Sequence, residues 1–312
     1  GDSLGAQFGS SGGAMVGRPD GRILLGAYRL LPDGGAQSLV QLDSDGRLDT
    51  DFRAGSGGIS VTGQDVEVRA IAVLPNGQTY VGGTFSLLNA EPRRQLARLN
   101  PGGTVDTNYQ PNWGAGLEVR ALQLQPDGKL LAGGSGVATG ADGRHFVGLV
   151  RLNPDGATDA GFASPWREGE DAYALVRCLA WQPDGKIVCG GEFNAPYRGL
   201  VRLNADGSVD GTFVPPLLDY SGGDDEGPYA LAIQPDGKLL VGGYLDGYMY
   251  GPPGGLRRLN ADGSVDPSFQ VGAGVSGRVQ AIVLQPDGRI VIGGAFSQVN
   301  GIERAGLARL NP

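Results

Sequence analysis

The sequence predicts an all-β fold, a six-bladed β-propeller with four antiparallel strands per blade, and three observations carry the prediction. First, a segment reading roughly apolar-Gln-Pro-Asp-Gly-Lys-apolar-apolar-Gly-Gly recurs six times in 312 residues, with prolines at Pro19, Pro75, Pro126, Pro183, Pro235 and Pro286. Those prolines stand 56, 51, 57, 52 and 51 residues apart, the length of a propeller blade or a large solenoid rung. Second, a motif whose fullest form is Leu-Val-Arg-Leu-Asn-Pro-Asp-Gly-Ser-Val-Asp runs half a period behind, starting at Leu39, Leu96, Leu149, Leu200, Leu256 and Leu307. Third, the last copy of that motif stops at Leu310, Asn311 and Pro312, while Gly1 to Phe8 aligns without a gap on Asp262 to Phe269.

Each element of a repeat follows in order from residue chemistry. Pro at the second position of a type I turn supplies the required φ, Asp suits the third, and Gly takes the left-handed conformation that follows, giving a three-residue hairpin loop with a bulge. Apolar alternation flanks both turns of a repeat, so each turn joins two strands. In the third repeat the strands are expected at Val119 to Gln125, Lys129 to Gly133, Leu149 to Asn153 and Ala157 to Phe162. Four short strands per repeat make a propeller blade. The blades fall near 9–52, 53–109, 110–162, 163–213, 214–269 and 270–312, the last completed by 1–8. An N-terminal strand closing the last blade removes an exposed sheet edge, and it predicts that Gly1 and Pro312 lie side by side. A β-solenoid, the rival, has no use for such a phase match.

Composition fits one domain of this kind. Hydrophobic residues make up 40%, Gly numbers 57, and no run approaches the 18 or so apolar residues of a membrane helix. A net charge of −8 argues against nucleic acid and anionic membrane surfaces as partners, since both are met with basic patches. A monomer is expected. No secretory leader opens the sequence, so export is expected to rest on a leader already removed or on a longer parent chain.

Hairpin register places the remaining marked residues. If Gln182 faces Lys186, Cys178 faces Gly190 and Cys189 faces Leu179, so the two sulfurs point to opposite sheet faces and should be free buried thiols; a disulfide is the alternative. In the second hairpin the same arithmetic pairs Arg98 with Asp106, Arg151 with Asp159, Arg202 with Asp210 and Arg258 with Asp266. As cross-strand ion pairs, each is expected to contribute roughly 0.2–1 kcal/mol. Gln41 replaces the Arg in the first repeat and Gly5 the Asp in the closing one, and those two hairpins should be weaker.

At these residues a family resemblance appears. The run LQPDGKLLAGG from Leu124, followed by LVRLNPDGATD from Leu149 and then Phe162, resembles the delta-60 family of bacterial β-propeller repeats, and the likeness spans the whole chain. The resemblance implies a propeller within a large secreted or surface protein of bacteria, without a shared catalytic signature. It does not assign chemistry, because fold does not carry function.

Function is therefore sought where the repeats differ. The Pro-Asp-Gly turns are stereotyped and lie on one face, so the second-to-third strand loops and the crossovers occupy the other, where binding residues gather. The richest cluster runs from Tyr220 through Asp224, Asp225 and Glu226 to Tyr229, and through the loop Tyr244 to Tyr250, which includes Asp246, Tyr248 and Tyr250. Five of the ten tyrosines lie between residues 220 and 250. Tyr offers a flat apolar face for a sugar ring and a hydroxyl for its edge, while Asp224, Asp225 and Asp246 could hold Ca²⁺, against the plainer reading of loop filling. Trp166 and Tyr173 flank a second crossover, with Trp113 at the matching place one repeat earlier; they either recognise a ligand or cover the end of a core. Third, six residues before each turn proline stand Gly13, Arg69, Arg120, Arg177, Tyr229 and Gln280. Three successive arginines at a channel mouth could bind a carboxylate or sulfate as in sialidases, or simply line a wet channel.

Catalytic patterns are otherwise missing. His145, the one histidine, is expected in a long loop from Ser135 to Gly148 with no identifiable nucleophile. Asp43, Ser44, Asp45 and Gly46 resemble a calcium loop but are more simply that repeat's Asn-Pro-Asp-Gly turn. No cofactor beyond Ca²⁺ is suggested. The sequence thus points to a non-catalytic binding module, extracellular or at the bacterial cell surface, that recognises glycan or protein ligands. An architectural docking domain without a small ligand is the alternative, and a sialidase-like glycoside hydrolase acting on an anionic sugar is the third.

Overall fold

The computed structural model describes residues 14–30, 36–52, 67–88, 91–114, 116–166, 173–193, 197, 199–216, 227–245 and 254–312. Among these the regular elements are all strands, with no helix. The chain divides into two compact units, Gly1–Ala160 and Gly161–Pro312.

The first unit holds three antiparallel meanders: Met15–Gly17, Ile23–Leu30 and Ala36–Leu42; Val68–Val73, Thr79–Gly83 and Leu96–Leu99; Leu117–Leu124, Leu130–Thr139 and His145–Leu152. In each the second strand is the middle one. Successive sheets share a core. Leu39 of the first packs with Val68 and Val81 of the second, and Tyr80 and Leu96 of the second pack with Val119 and Leu130 of the third. Full burial of such a side chain stabilises by about 2 kcal/mol.

The second unit repeats the pattern with Ala174–Trp181, Ile187–Phe193 and Leu200–Leu203; Gly227–Ile233, Leu239–Tyr244 and Leu256–Leu259; and Val275–Leu284, Ile290–Val299 and Leu307–Leu310, with the short strand Ile302–Glu303 inserted in the last. Ala180, Val188 and Leu200 meet Leu239 and Val241, while Leu240 and Leu256 meet Val279 and Ile292.

The turns form as their residues require. The Gln182 amide donates to the Lys186 carbonyl and the Gly185 amide to the Gln182 carbonyl, both at 2.9 Å, with Gly185 at φ 86°. Trp181 pairs with Ile187, Leu179 with Cys189 and Cys178 with Gly190, as expected, and both cysteines are free and buried. Burial raises both thiol pKa values.

The expected fourth strand is the first correction. Among the described residues, a single bridge forms beyond the second turn in each of five repeats: Leu42 to Leu48, Leu99 to Val105, Leu152 to Thr158, Leu203 to Val209 and Leu259 to Val265. The next residue, an Asp, ends the pairing. The Asp210 carboxylate accepts from the Thr212 amide at 3.0 Å and its carbonyl from the Phe213 amide at 3.2 Å, which folds the chain into a turn. Asp106 and Asp266 do the same with Asn108 and Tyr109, and with Ser268 and Phe269.

The expected Arg–Asp pairs form, at 2.8 Å for Arg98–Asp106 and Arg258–Asp266 and 2.7 Å for Arg151–Asp159 and Arg202–Asp210. They are not the surface pairs their energy estimate assumed. Asp106, Asp159, Asp210 and Asp266 are all buried, and Lys129, Lys186 and Lys238 from the first turns reach Asp159, Asp210 and Asp266 at 2.9 Å. The guanidinium also covers an aromatic ring three residues beyond the Asp, Arg202 over Phe213 at 4.7 Å and Arg258 over Phe269 at 4.6 Å. In the first repeat Gln41 donates to Asp49 at 2.7 Å instead. Gly5, the other departure, lies outside the described residues.

One irregularity recurs. The first strand carries an extra residue opposite the Gly-Gly pair of the second: Val68 and Ala70 pair with Gly83 and Gly82, Ala121 and Val119 with Gly133 and Gly134, and Val176 and Cys178 with Gly191 and Gly190. Pro228/Ala230 and Val279/Ala281 break register in the same way. These are β-bulges, and they explain the glycines: a Cβ on Gly134 would overlap the Glu118 carbonyl oxygen, and one on Gly82 the Val119 side chain of the next sheet.

Candidate functional site

The carboxylates of the stereotyped turns serve the backbone. Asp127, Asp155, Asp184 and Asp236 each accept the backbone amide two residues on, at 2.9–3.1 Å. Asp43 does likewise for Asp45 and Arg47, at 2.9 and 2.8 Å, so the segment that resembles a calcium loop uses this carboxylate as a turn. At the other end of the strands, crossover and second-to-third strand loop meet: Trp113 bridges Gly140, and the Gly114 amide donates to the Thr139 carbonyl at 2.7 Å. Here the expected long loop is shorter than the sequence suggests. Strands extend to Thr139 and from His145, so His145 opens a strand, because the Gly140–Arg144 turn carries the hairpin outward.

The positional row six residues before each turn proline is the row of bulges. Arg69, Arg120, Arg177, Tyr229 and Gln280 are the extra residues, turned out of the ladder; Gly13 lies outside the described residues. In the first unit Arg69 donates to Glu67 at 2.9 Å and also to Glu118, which accepts Arg120 at 3.3 Å and the Ser135 hydroxyl at 3.1 Å. In the second unit Arg177 donates to Glu192, which also accepts the Tyr173 hydroxyl at 3.3 Å. Two guanidinium groups lie over the Tyr229 ring, Arg177 at 4.6 Å and Arg278 at 4.8 Å from its centroid. Arg69, Arg120 and Arg177, read from sequence as either anion-binding or channel-lining, thus each already hold a carboxylate of the protein.

The other expected residues divide. Tyr173 is 48% exposed, whereas Trp166 turns inward, its ring 4.7 Å from that of Phe193. Trp113 is also buried, and its indole donates to the Arg94 carbonyl at 3.3 Å. Both indoles thus pack against the core, the covering role that was one of the two readings of these residues. Tyr248, Tyr250, Asp246, Asp224 and Asp225 lie outside the described residues.

One cleft sits on this end of the first unit. It has a volume of about 250 Å³ and is lined by Pro92, Arg93, Arg94, Gln110, Pro111 and Trp113. Arg93 is 7% exposed; its Nη1 donates to the Pro92 carbonyl at 2.7 Å, and among the described residues its Nε and Nη2 have no hydrogen-bond partner.

Six segments, 18–52, 74–109, 125–162, 182–213, 234–269 and 285–312, match one family model, described as a domain of unknown function (DUF5122) beta-propeller, and together span more than half the chain. The chain belongs to that β-propeller family. No functionally curated protein matches the sequence. Among solved structures, the DUF5122 propeller chain resembles PorZ, described as an essential surface component of the type-IX secretion system of Porphyromonas gingivalis, with TM-score 0.55 and 16% identity over 96% of this chain and 40% of that one. It resembles virginiamycin B lyase from Staphylococcus aureus with TM-score 0.51 and 11% identity over 98% and 87% of the two chains. A protein of unknown function from Dyadobacter fermentans has TM-score 0.50 and 15% identity over 97% and 94%. At such identities these likenesses show a shared fold.

Sequence reasoning missed Arg93. A signal existed: Phe85 to Leu99 and Phe296 to Leu310 align without a gap, matching Arg93 with Arg304. Both amides bond a serine carbonyl, of Ser86 at 2.9 Å and Ser297 at 2.7 Å, and both Nη1 atoms bond the preceding carbonyl at 2.7 Å. Arg304, however, is exposed to water.

Proposed function

We propose that this DUF5122 propeller is a non-catalytic binding module of a secreted or cell-surface bacterial protein, recognising a glycan or protein ligand through the end that carries the crossovers and second-to-third strand loops. The observation that carries this reading is the division of chemistry between the two ends of the sheets. Asp127, Asp184 and Asp236 in the first turns accept backbone amides, while the bulge residues Arg69, Arg120, Arg177 and Tyr229, together with the Arg93 cleft, stand at the other end of the strands. The surface role of PorZ and the resemblance to delta-60 repeats favour the location; virginiamycin B lyase shows that the fold also hosts an enzyme, so the site has to decide.

The reading includes a ring of six blades closed by residues 1–8 pairing with Leu307–Leu310. It is supported by the gapless match of Gly1–Phe8 to Asp262–Phe269. Leu307 also supports it, being 65% exposed where Leu39, Leu96, Leu149, Leu200 and Leu256 are buried. Deleting residues 1–8 should lower the thermal midpoint, and the free octapeptide should restore it; an unchanged midpoint would exclude closure.

Binding to glycan and surface-protein arrays tests the function, with Tyr173→Ala and Tyr229→Ala as variants at the bulged end. A ligand whose binding falls in both variants is expected. Absence of any ligand, or binding indifferent to every change at that end, would overturn the reading.

A further inference from the structure

The Arg93 cleft carries an inference about ligand chemistry that deepens, and rests on, the binding-module reading. A buried guanidinium bears a full charge and five N–H donors, and leaving donors unmatched away from water is costly. Arg93 matches only Nη1, through the Pro92 carbonyl, and among the described residues no acidic side chain lines the cleft. Its unmatched Nε and Nη2 form the edge of the fork that takes both oxygens of a carboxylate. Arg304 makes the same Nη1 bond in the sixth repeat but stands in water, so the backbone motif alone does not require a dry guanidinium. Burial is specific to the second repeat.

The cleft supplies the rest of a site. Arg94 is exposed and adds a second cation; Trp113, Pro92 and Pro111 add apolar wall; Gln110 adds an amide for a hydroxyl. The arginine segment is firmly held. Gln95, the next residue, sits at φ 60°, where the matching residues Gly148, Gly199 and Gly306 are at 66°, 79° and 72°, and is pinned by its amide to the Phe85 carbonyl at 2.8 Å and its carbonyl to the Gly83 amide at 3.0 Å.

We propose that this cleft binds the carboxylate of a uronic acid residue in an acidic glycan, with Arg93 Nε and Nη2 donating to the two carboxylate oxygens after a small rotation of the guanidinium, Arg94 attracting the anion from outside, and the sugar ring lying against the Trp113 and proline wall. A cleft of about 250 Å³ with an aromatic wall and a hydroxyl partner suits one carboxylated ring better than an extended acidic peptide.

Titration of the full chain with sodium glucuronate, glucose and N-acetylglutamate amide, by calorimetry and by following the Arg93 Nε–H NMR signal, tests this. Saturable glucuronate binding that weakens with added salt and shifts the Arg93 signal is expected, with no response to glucose. Arg93→Gln should weaken binding about tenfold or more, as loss of a charged bidentate pair does. Arg94→Gln should weaken it less and flatten the salt dependence, and Arg304→Gln should leave it unchanged. Since Arg93→Gln could disturb folding, the Arg94 variant and the wild-type Arg93 signal stand as independent readouts. Glucuronate binding that leaves the Arg93 signal unmoved, or N-acetylglutamate amide binding as tightly as glucuronate, overturns the proposal. Neutral glycans bound on an array, with glucuronate ignored in solution, would overturn this inference while sparing the binding-module reading.

Discussion

Arg151 and Asp159 meet at 2.7 Å across the second hairpin of the third repeat, with side-chain exposures of only 9% and 10%. This cluster type, with a lysine from the neighbouring turn, recurs at Asp210 and Asp266 and ties the two turns of a repeat together.

Asp210→Ala should therefore be among the more damaging single changes in the second unit. It leaves Arg202 buried without its carboxylate, and loss of one partner of a buried pair costs about 3–5 kcal/mol. Asp49→Ala removes hydrogen bonds from the Gln41 amide and the Asp51 backbone amide and a 3.8 Å contact with half-exposed Arg22, but leaves no buried cation behind, and should cost about 1–2 kcal/mol. Urea unfolding midpoints of the two variants check the order; equal losses would refute the role given to the buried arginine.

Acid should destabilise the protein through these same groups. Burial would raise the Asp210 carboxyl, but hydrogen bonds from Thr212, Lys186 and Arg202 outweigh it and hold the group below the ordinary carboxylate range. Hydrogen bonds from Ser268 first, then Lys238, do so for Asp266. A depressed folded pKa means that the unfolded chain takes up protons first, so this contribution is fully present above the ordinary Asp value of about 4 and declines as pH falls below it. Unfolding midpoints at pH 7, 4 and 3 should fall in that order, and Asp210→Asn should flatten the decline.

The bulges make a sharp prediction about two glycines. Gly134→Ala forces a Cβ into the Glu118 carbonyl and should cost about 3 kcal/mol, whereas Gly211→Ala, which meets nothing within 4 Å, should be near neutral. Thermal unfolding of the two variants decides, and a tolerated alanine at 134 would mean that the bulge can relax.

Both cysteines should resist chemistry until the fold opens. Buried thiols with raised pKa values supply almost no thiolate near neutral pH. A thiol reagent should label neither in the native protein and both in denaturant, with no reductant added. Labelling of none in denaturant would reveal a disulfide.

Much of the fold was legible in the chain because each legible feature was local. Pro, Asp and Gly set turns within five residues, and a turn sets its hairpin register, which placed Cys178 opposite Gly190 and Arg98 opposite Asp106. The bulge was not legible as such. Its sign, a Gly-Gly pair on one strand and an exception on the other, is split across the turn, so Arg69, Arg120 and Arg177 stood out by position without their cause. Burial was harder still. Trp113 and Trp166 read as loop residues, but whether a loop residue folds back on a core depends on the strands beneath it. Arg93 was hidden for the same reason, its twin Arg304 having identical local bonds and the opposite exposure.

The bulges also bear on how such a chain can change. The surplus residue at each one is exempt from the pairing that its neighbours must satisfy, so Arg120, Tyr229 and Gln280 occupy equivalent sockets with quite different side chains while the strands around them keep step. A lineage, or an engineer, can rewrite that row one letter at a time and leave the scaffold undisturbed.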